Sequence, residues 1–365
     1  MVEEVGTWGK RGDVVVHERH PFNAESPLPE LARAPLTSAE AFYVRNHGPV
    51  PALDPQEWRL CVDGLVRRSL QLSLEELRDR FEHHRVTATM QCAGNRRSGL
   101  MKVRDIPGHP WGPGATSTAT WTGARLTDVL GAAGIAGGAA HVAFEAPDVA
   151  PEARPPQRFG ASVPLSKATS PGVLLAWEMN GHPLPAVHGA PVRVVVPGYI
   201  GARSVKWVDR ITARERPSEN FFQATAYRLV PPGADPYTAP SDDGLQLGPL
   251  GVNAAVLTPA DGATVPAGPT SVTGYALGAD DRGIARVDVS LDGGQSWHQA
   301  RLGQAPNRWS WCPWSITLDL PPGEVEVAAR AWDTAGAVQP EREASLWNPK
   351  GYFNTAWHRI HLRTT

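Results

Sequence analysis

The sequence predicts a two-domain protein, with an α+β domain over residues 1–248 and an all-β sandwich of immunoglobulin type over residues 249–365. Three observations support this prediction. The length of 365 residues exceeds what one small core usually holds. Helix and strand signals are mixed in the first two-thirds, whereas only short strand signals follow later. Between these regions, residues 231–249 are rich in Pro, Gly and Asp, which indicates a loop or an inter-domain linker.

Two short helices are predicted in the α+β domain. The segment Ser73-Leu-Glu-Glu76 has the form of a capping box, which predicts a helix that ends near Phe81. Residues 123–130 predict a second helix, because Leu126 and Leu130 fall on one side and glycines follow its end.

Strand signals lie on either side of the second helix. Residues 86–91 are β-prone and lead directly into Cys92. Residues 192–196 give another strong strand signal, which ends at a Pro-Gly pair. We therefore expect Cys92 to lie at the end of a strand.

The C-terminal region has the alternation of a half-buried sheet. Val287 and Val289 alternate with polar residues before a predicted tight turn at 292–294. Val325 and Val327 repeat the pattern further on. Short strands separated by turn residues are typical of an immunoglobulin-type sandwich.

Composition and charge narrow the classes of function. The formal net charge is −2, so no global cationic field would attract nucleic acid or an anionic membrane. No stretch approaches the roughly 18 apolar residues that a membrane span needs, and the first residues lack the pattern of a secretory signal. We expect a soluble protein of the cytoplasm or the periplasm, with neither nucleic acid nor membrane as a partner.

The three cysteines, Cys61, Cys92 and Cys312, are too few and too scattered for a disulfide framework. Only Cys92 lies in a chemically suggestive context, in Gln91-Cys-Ala-Gly-Asn-Arg-Arg-Ser98. Neighbouring arginines stabilise a thiolate and offer planar donors to an oxyanion. This pattern suits a metal that acts on an oxo-acid. Residue types alone also permit a buried structural cysteine or a nucleophile paired with a histidine.

The octapeptide around Cys92 resembles the cysteine motif of the sulfite oxidase family of molybdenum enzymes. Further segments from about residue 20 to the end resemble other motifs of this family, in the expected order. These segments are Phe42-Tyr-Val-Arg-Asn-His47, Trp111 with Gly114-Ala-Thr-Ser-Thr-Ala119, Glu178-Met-Asn-Gly181, His188-Gly with Pro191-Val-Arg-Val194, Gly201-Ala-Arg-Ser-Val-Lys-Trp207, Val287-Asp-Val-Ser-Leu-Asp-Gly-Gly294, Trp347-Asn-Pro-Lys-Gly351 and Ala356-Trp-His-Arg359.

The resemblance implies a molybdopterin-binding α+β domain in which Cys92 is the protein's ligand to molybdenum. The family's substrate pocket falls on Arg45, Arg97, Trp111 and Tyr227. Where the family has one more arginine before a glycine, this chain has Lys350, which keeps the charge but loses the planar donor fork. The family's pterin-binding positions fall on Arg45, His47, Asp148, His188, Arg193, Ser204 and Lys206.

By the same resemblance, the expected reaction is oxidation of sulfite to sulfate by oxygen-atom transfer. Electrons would pass to an external acceptor, either oxygen or a separate cytochrome. A haem domain precedes the molybdenum domain in animal relatives, and we expect no haem in this chain. The C-terminal domain resembles the family's dimerisation domain, so a homodimer is expected.

Other readings of the same residues remain open. Eukaryotic nitrate reductases share much of the cysteine motif, but theirs typically has Arg-Arg-Lys where this chain has Arg96-Arg97-Ser98. Another small oxo-anion or a sulfoxide is an alternative substrate, partly because of Lys350. A non-catalytic binding module with a decayed metal site is the alternative outside enzymes.

Overall fold

Two five-stranded sheets form the framework of the first two-thirds of the chain. A computed structural model describes residues 8–235, 244–279 and 281–365. In chain order, the strands of this part are β1 (Val15–Arg19), β2 (Phe22–Glu25), β3 (Arg59–Gly64), β4 (Leu70–Ser73), β5 (His83–Gln91), β6 (Thr116–Arg125), β7 (His141–Ala150), β8 (Gln157–Pro164), β9 (Leu174–Met179), β10 (His182–Pro183), β11 (Arg193–Val195), β12 (Arg210–Arg214), β13 (Arg228–Leu229) and β14 (Leu245–Gln246). The helices are α1 (Leu28–Arg33), α2 (Leu74–Arg80), α3 (Arg97–Val103), α4 (Leu126–Ala133) and α5 (Leu165–Ala168), with 3-10 turns at Ala186–His188 and Gly201–Arg203 and a π-helical turn at Phe222–Ala226.

One sheet has the strand order β10-β9-β6-β5, with β11 paired to β9, and the other has the order β4-β3-β12-β7-β8. All these pairs are antiparallel except β3 with β12. The β-prone run before Cys92 is confirmed as β5, and its last residue, Gln91, is in register with Thr116 of β6. Cys92 itself is buried in a core cluster with Phe42, Trp111 and Trp121.

The two predicted helices have different outcomes. The capping box is present, since the backbone N–H of Glu76 donates to the Ser73 hydroxyl, and α2 ends before Phe81. The second helix begins later than predicted, because residues 123–125 continue β6 and pair with β9. A Cβ on Gly123 would lie only 2.1 Å from the carbonyl oxygen of Leu175, so the glycine permits close strand pairing. In the described parts of the chain, no helix is long and apolar enough to cross a membrane.

The C-terminal part is a β-sandwich, as predicted. Its strands pack around a core that includes Val256, Val289, Trp314 and Ile360. Its two sheets have the orders β15-β17-β21-β20 and β16-β23-β22-β18-β19. In chain order, the strands are β15 (Asn253–Thr258), β16 (Thr264–Val265), β17 (Gly268–Leu277), β18 (Ile284–Ser290), β19 (His298–Gln299), β20 (Arg301–Leu302), β21 (Cys312–Leu320), β22 (Gly323–Asp333) and β23 (His358–Thr364).

The core of the first part continues onto the sandwich. Leu257, Tyr275 and Trp311, which belong to the C-terminal part, lie in the same apolar cluster as the core of the first part. Part of the predicted linker, residues 236–243, lies outside the described residues. Beyond them, β14 pairs with β13, and Leu247 is buried. The division at 248/249 stays a prediction.

Candidate active site

Cys92 lies where β5 ends and the chain turns into α3. Its side chain is buried, and the backbone N–H of Gly94 donates to its sulfur at 3.4 Å. The turn needs a glycine at position 94, because a Cβ there would lie 2.8 Å from Nη2 of Arg97. Burial raises the pKa of the Cys92 thiol, and the charge of Arg97 opposes that rise. The arginines alone therefore do not make Cys92 a thiolate, contrary to the expectation from the sequence.

The two adjacent arginines have separate roles. Arg96 adopts a left-handed backbone conformation with φ of 62°, and its guanidinium points away from Cys92 into the sandwich. There it donates to the side-chain oxygen of Asn253 at 2.9 Å and to the carbonyl oxygen of Ala356 at 2.8 Å. Arg97 donates to the carbonyl oxygen of Gly351 at 3.1 Å and is one of the charges that act on the Cys92 thiol. Of the two arginines, only Arg97 acts on Cys92, and its guanidinium also donates to the carbonyl oxygen of His109 at 3.4 Å.

Trp111 is fully buried beside Arg97. Its carbonyl oxygen accepts from the backbone N–H of Ser98, and its ring lies 4.5 Å from that of His17. His17 in turn contacts the carboxylate of Glu25 at 2.7 Å. The same carboxylate accepts backbone N–H groups on either side of Pro113, in the loop that follows Trp111. These contacts fix the indole as a rigid wall.

A buried lysine that the sequence analysis did not single out lies beside His188. Nζ of Lys10 is 2.5 Å from Nε2 of His188 and also donates to the carbonyl oxygens of Ala39 and Phe42. An ammonium can only donate, so His188 accepts at Nε2 and carries its proton on Nδ1. Burial lowers the pKa of Lys10 to about 7. Burial also lowers the pKa of His188 well below its ordinary value, and the charge of Lys10 adds to this effect.

Arg193 and Lys206 add to this positive charge. Arg193 donates to the carbonyl oxygen of His188 at 2.9 Å, and Lys206 donates to the carbonyl oxygen of Val187 at 3.2 Å. Burial lowers the pKa of Arg193 to about 10 and that of Lys206 well below its ordinary value. Burial disfavours the charged forms of these groups, so this part of the cleft favours an anionic ligand.

Asp148 and Ser204 add polar groups to the same cleft. Ser204 accepts the backbone N–H of Val196 at 2.9 Å. Asp148 is buried, and its Oδ1 has no hydrogen-bond partner among the residues that the structure describes. Burial raises the pKa of Asp148 to about 7, while the charge of Lys206 acts in the opposite direction. A buried carboxylate oxygen without a donor is suited to accept N–H groups from a bound heterocycle.

His47 contacts both the buried Tyr227 hydroxyl and the partly exposed Glu152 carboxylate. Its Nε2 lies 2.7 Å from the Tyr227 hydroxyl, and its Nδ1 contacts the carboxylate of Glu152. Arg45 lies alongside, with Nη2 3.0 Å from the same Nδ1 and 3.7 Å from the Glu152 carboxylate. Burial, with the charge of Arg45, lowers the pKa of His47 to about 4. Burial also raises the pKa of Tyr227 well above its ordinary value.

Lys350 contacts the π-helical turn that precedes Tyr227. Its Nζ donates to the carbonyl oxygens of Thr225 and, at 3.3 Å, Ala226. Burial lowers its pKa to about 8, and the charge of Arg228 adds to the effect. In this conformation, the ammonium holds backbone carbonyls rather than facing the cleft.

The structure brings most of the predicted site residues together. One cleft is lined by Arg45, His47, Cys92, Asp148, His188, Arg193, Ser204, Lys206 and Tyr227. Arg97, Trp111 and Lys350 are not among its lining residues. Lys10 and Glu152 escaped the sequence analysis because they contact the site across 178 and 105 positions, respectively, and no local pattern surrounds them.

These residues fit a cofactor that carries both a phosphate and a soft metal site. The cation-rich part suits a dianion, Asp148 suits a hydrogen-bonding ring, and Cys92 suits a metal. Within the described residues, no group of three or more His, Cys, Asp or Glu side chains could hold a metal ion. Cys92 would therefore share a metal with ligands that the cofactor brings.

Comparisons with known proteins agree with this arrangement. Residues 47–222 match a family model described as an oxidoreductase molybdopterin binding domain, and residues 247–365 match a Mo-co oxidoreductase dimerisation domain. The chain is 47% identical to a sulfite oxidase of Gallus gallus over 94% of its length and 76% of that protein. It is 40% identical to a sulfite oxidase of Arabidopsis thaliana, covering 95% of this chain and 93% of that one. The sulfane dehydrogenase SoxCD from Paracoccus pantotrophus has a similar structure, with a TM-score of 0.81, 26% identity and coverage of 95% of this chain and 85% of that chain.

Proposed function

We propose that this chain, which belongs to the sulfite oxidase family, oxidises sulfite to sulfate at a molybdopterin-bound molybdenum that Cys92 ligates. The observation that carries the proposal is that Cys92 lines the same cleft as residues that suit a phosphate-bearing heterocycle. When bound, the cofactor supplies the oxygen-atom transfer and two-electron redox chemistry that sulfite oxidation needs.

Three sets of residues in this chain would hold the phosphate, the ring and the metal of the cofactor. Lys206 and Arg193 would neutralise the phosphate, the neutral His188 would offer it an N–H donor, and Lys10 would add charge beside His188. Asp148 accepts from the pterin ring, and Cys92 binds the metal. This role is supported by the lowered pKa values of these groups, because a bound anion would stabilise the charged forms that burial disfavours.

Sulfite is a small anion, so the pocket must provide positive charge and a fixed orientation. Arg97 provides a planar donor beside Cys92, and Arg45 provides a second cation beside Tyr227. Trp111 excludes water from the wall next to Arg97, which strengthens these electrostatic interactions. Preorganised donors lower the barrier because they need little reorganisation when the substrate binds. Lys350 adds positive charge near Tyr227 and supports the turn that carries it.

The remaining partners follow from the chemistry and from the C-terminal domain. Each turnover releases two electrons, which we assign to an external acceptor, either oxygen or a separate cytochrome. The C-terminal domain forms the contact of a homodimer, in keeping with its match to a dimerisation domain. We retain the cytoplasm and the periplasm as alternative compartments, which fractionation of the natural host would distinguish.

Nitrate reduction is the second candidate, because the family's cysteine motif occurs in nitrate reductases as well. Ser98 stands where that motif typically has lysine, and Tyr227 is in place beside Arg45. Both features favour sulfite. A non-catalytic binding module would have no need for the buried cations around His188, whose burial costs stability.

A two-arm assay tests the proposal. Purified protein with a measured molybdenum content is mixed with sulfite and ferricyanide, and separately with nitrate and a reduced viologen dye. We expect ferricyanide reduction that depends on sulfite and scales with molybdenum content, with little turnover of nitrate. Loaded protein without sulfite-dependent reduction would contradict the proposal, and faster nitrate turnover would favour the second candidate. Protein produced with tungstate in place of molybdate is the matched control.

A further inference from the structure

We propose that Tyr227, His47 and Glu152 form a proton relay that carries protons from the substrate pocket to solvent. This inference rests on the proposed function, because sulfite and water yield sulfate, two electrons and two protons. The electrons leave to the external acceptor, but the protons need a path of their own. Tyr227 and His47 are 3% and 9% exposed, respectively, whereas the Glu152 side chain is 48% exposed. The three groups thus connect a buried hydroxyl with water.

The contacts along this path are continuous. The Tyr227 hydroxyl is 2.7 Å from Nε2 of His47, and Nδ1 of the same imidazole contacts Oε1 of Glu152. The imidazole packs against two aromatic rings that also contact each other, with Phe159 stacked at 5.4 Å and Phe222 tilted at 4.4 Å. Both of its nitrogens are therefore fixed towards their partners, which is the geometry that proton transfer through histidine requires.

The direction of the donors follows from the carboxylate at the outer end. Partial burial would raise the pKa of Glu152, but the hydrogen bond from His47 and the charges of His47 and Arg45 lower it to about 2. An ionised carboxylate can only accept, so Nδ1 of His47 carries the proton that it donates to Glu152. Nε2 is then an acceptor, and the Tyr227 hydroxyl donates to it. Every donor along the path points outward, and the lone pairs of the Tyr227 oxygen are left for the pocket.

The surrounding charges support this polarity. Nη2 of Arg45 lies 3.0 Å from Nδ1 of His47, but it can only donate and finds no lone pair on a protonated nitrogen. Its charge is instead balanced by Glu152 at 3.7 Å. Arg45 and Lys206 both disfavour an imidazolium at His47. A proton that reaches His47 is therefore passed on rather than stored.

Transfer through the relay balances at each atom. The Tyr227 oxygen takes one proton from the pocket and gives its own to Nε2 of His47. Nδ1 gives its proton to Glu152, which releases a proton to water. Reorientation of the Tyr227 hydroxyl and of the imidazole restores the starting arrangement. Two such transfers remove the protons of one turnover.

Two substitutions of Glu152 separate the transfer of protons from structural support. Glu152→Gln keeps an oxygen that can accept from His47 but cannot take a proton, whereas Glu152→Ala loses both abilities. We expect Glu152→Gln to lower kcat for sulfite with ferricyanide about tenfold or more, with KM within about twofold of wild type and a larger solvent isotope effect on kcat. Added formate should restore part of the rate of Glu152→Ala. Glu219→Gln, at an exposed glutamate of the same domain, is the matched control.

The second readout needs no cofactor and no turnover. In ¹⁵N-labelled, cofactor-free protein, the histidine resonance that is missing in His47→Asn reports which nitrogen carries the proton. We expect the Nδ1-protonated form in wild type and in Glu152→Gln, and a shift towards the other form in Glu152→Ala. Wild type protonated at Nε2, or Glu152→Gln with wild-type kcat and isotope effect, would overturn the relay. An inactive, molybdenum-loaded wild type would instead contradict the proposed function, and the resonance would still report the polarity of the path.

Discussion

Replacing Arg96 by methionine should destabilise the fold without weakening the binding of sulfite. Methionine keeps most of the volume and removes the guanidinium. Four acceptors of the C-terminal part lose a hydrogen bond, since Arg96 bonds the side chain of Asn253 and the carbonyl oxygens of Ala254, Ala356 and Trp357 at 2.8 to 3.3 Å. The Ala356 carbonyl keeps a second donor, Nε2 of Gln339. All four lie in a region that water does not reach easily, because Arg96 is 3% exposed.

The magnitude follows from two opposing effects. Each buried acceptor left without a partner costs about 1–3 kcal/mol. Removing the buried charge recovers part of this, because burial lowers the pKa of Arg96 and shows that its charged form is poorly solvated. We expect a net loss of about 4 kcal/mol in the free energy of unfolding, within the range for breaking a buried charged network. With an unfolding entropy of about 2.1 cal/mol/K per residue, a chain of 365 residues would lose about 5 °C in Tm.

Thermal unfolding and steady-state kinetics together test this prediction. Arg96→Met should show the lower Tm with KM for sulfite close to wild type, whereas Arg97→Met should raise KM about tenfold with a smaller change in Tm. Arg342→Met is the control for surface arginines, because that side chain is 75% exposed. An unchanged Tm for Arg96→Met, or a raised KM, would refute the assignment of the two arginines to different tasks.

Three further predictions concern individual side chains. Cys92→Ser should abolish molybdenum retention and turnover while circular dichroism stays unchanged, and Cys61→Ser should retain both; molybdenum-dependent turnover in Cys92→Ser would exclude Cys92 as the ligand. Lys350→Arg should lower KM for sulfite about threefold with little change in kcat, because a planar fork binds an oxyanion better than an ammonium; an unchanged KM would mean that Lys350 only supports the turn at Thr225. The cofactor-free protein should gain stability as the pH rises from about 7 towards the ordinary lysine value of 10.5, because Lys10 gives up its proton earlier in the folded state than in the unfolded chain. Lys10→Met should flatten this part of a Tm–pH curve, and the same slope in the variant would contradict the cause.

Local chemistry made several elements predictable. The capping box at Ser73 needs only residues within one turn, and the strand before Cys92 is a continuous β-prone run. The start of α4 was misplaced because residues 123–125 have no strong local preference. Pairing with β9, some fifty positions later, holds them in a strand.

The site was predicted in its composition but not in its electrostatics. The resemblance to a family supplied Arg45, Asp148 and Lys206, yet nothing in the local sequence indicates which charges are buried without partners. Lys10 and Glu152 could not be predicted from the local sequence either, because their contacts with the site form only when distant segments pack together. The adjacent Arg96 and Arg97 look equivalent in a sequence, but in the structure Arg96 has a left-handed backbone and Arg97 begins α3, and their side chains bind different partners.

The apolar cluster that runs from the first part onto the sandwich limits how the chain can be divided. Leu257, Tyr275 and Trp311 would be exposed if the C-terminal part were produced alone, and so would the surface that they cover. Large exposed apolar patches promote aggregation. A shortened version of the protein is therefore a poor starting point for engineering, and a graft of another sandwich would have to reproduce these three side chains. The two parts of the chain should therefore be expressed, and engineered, together.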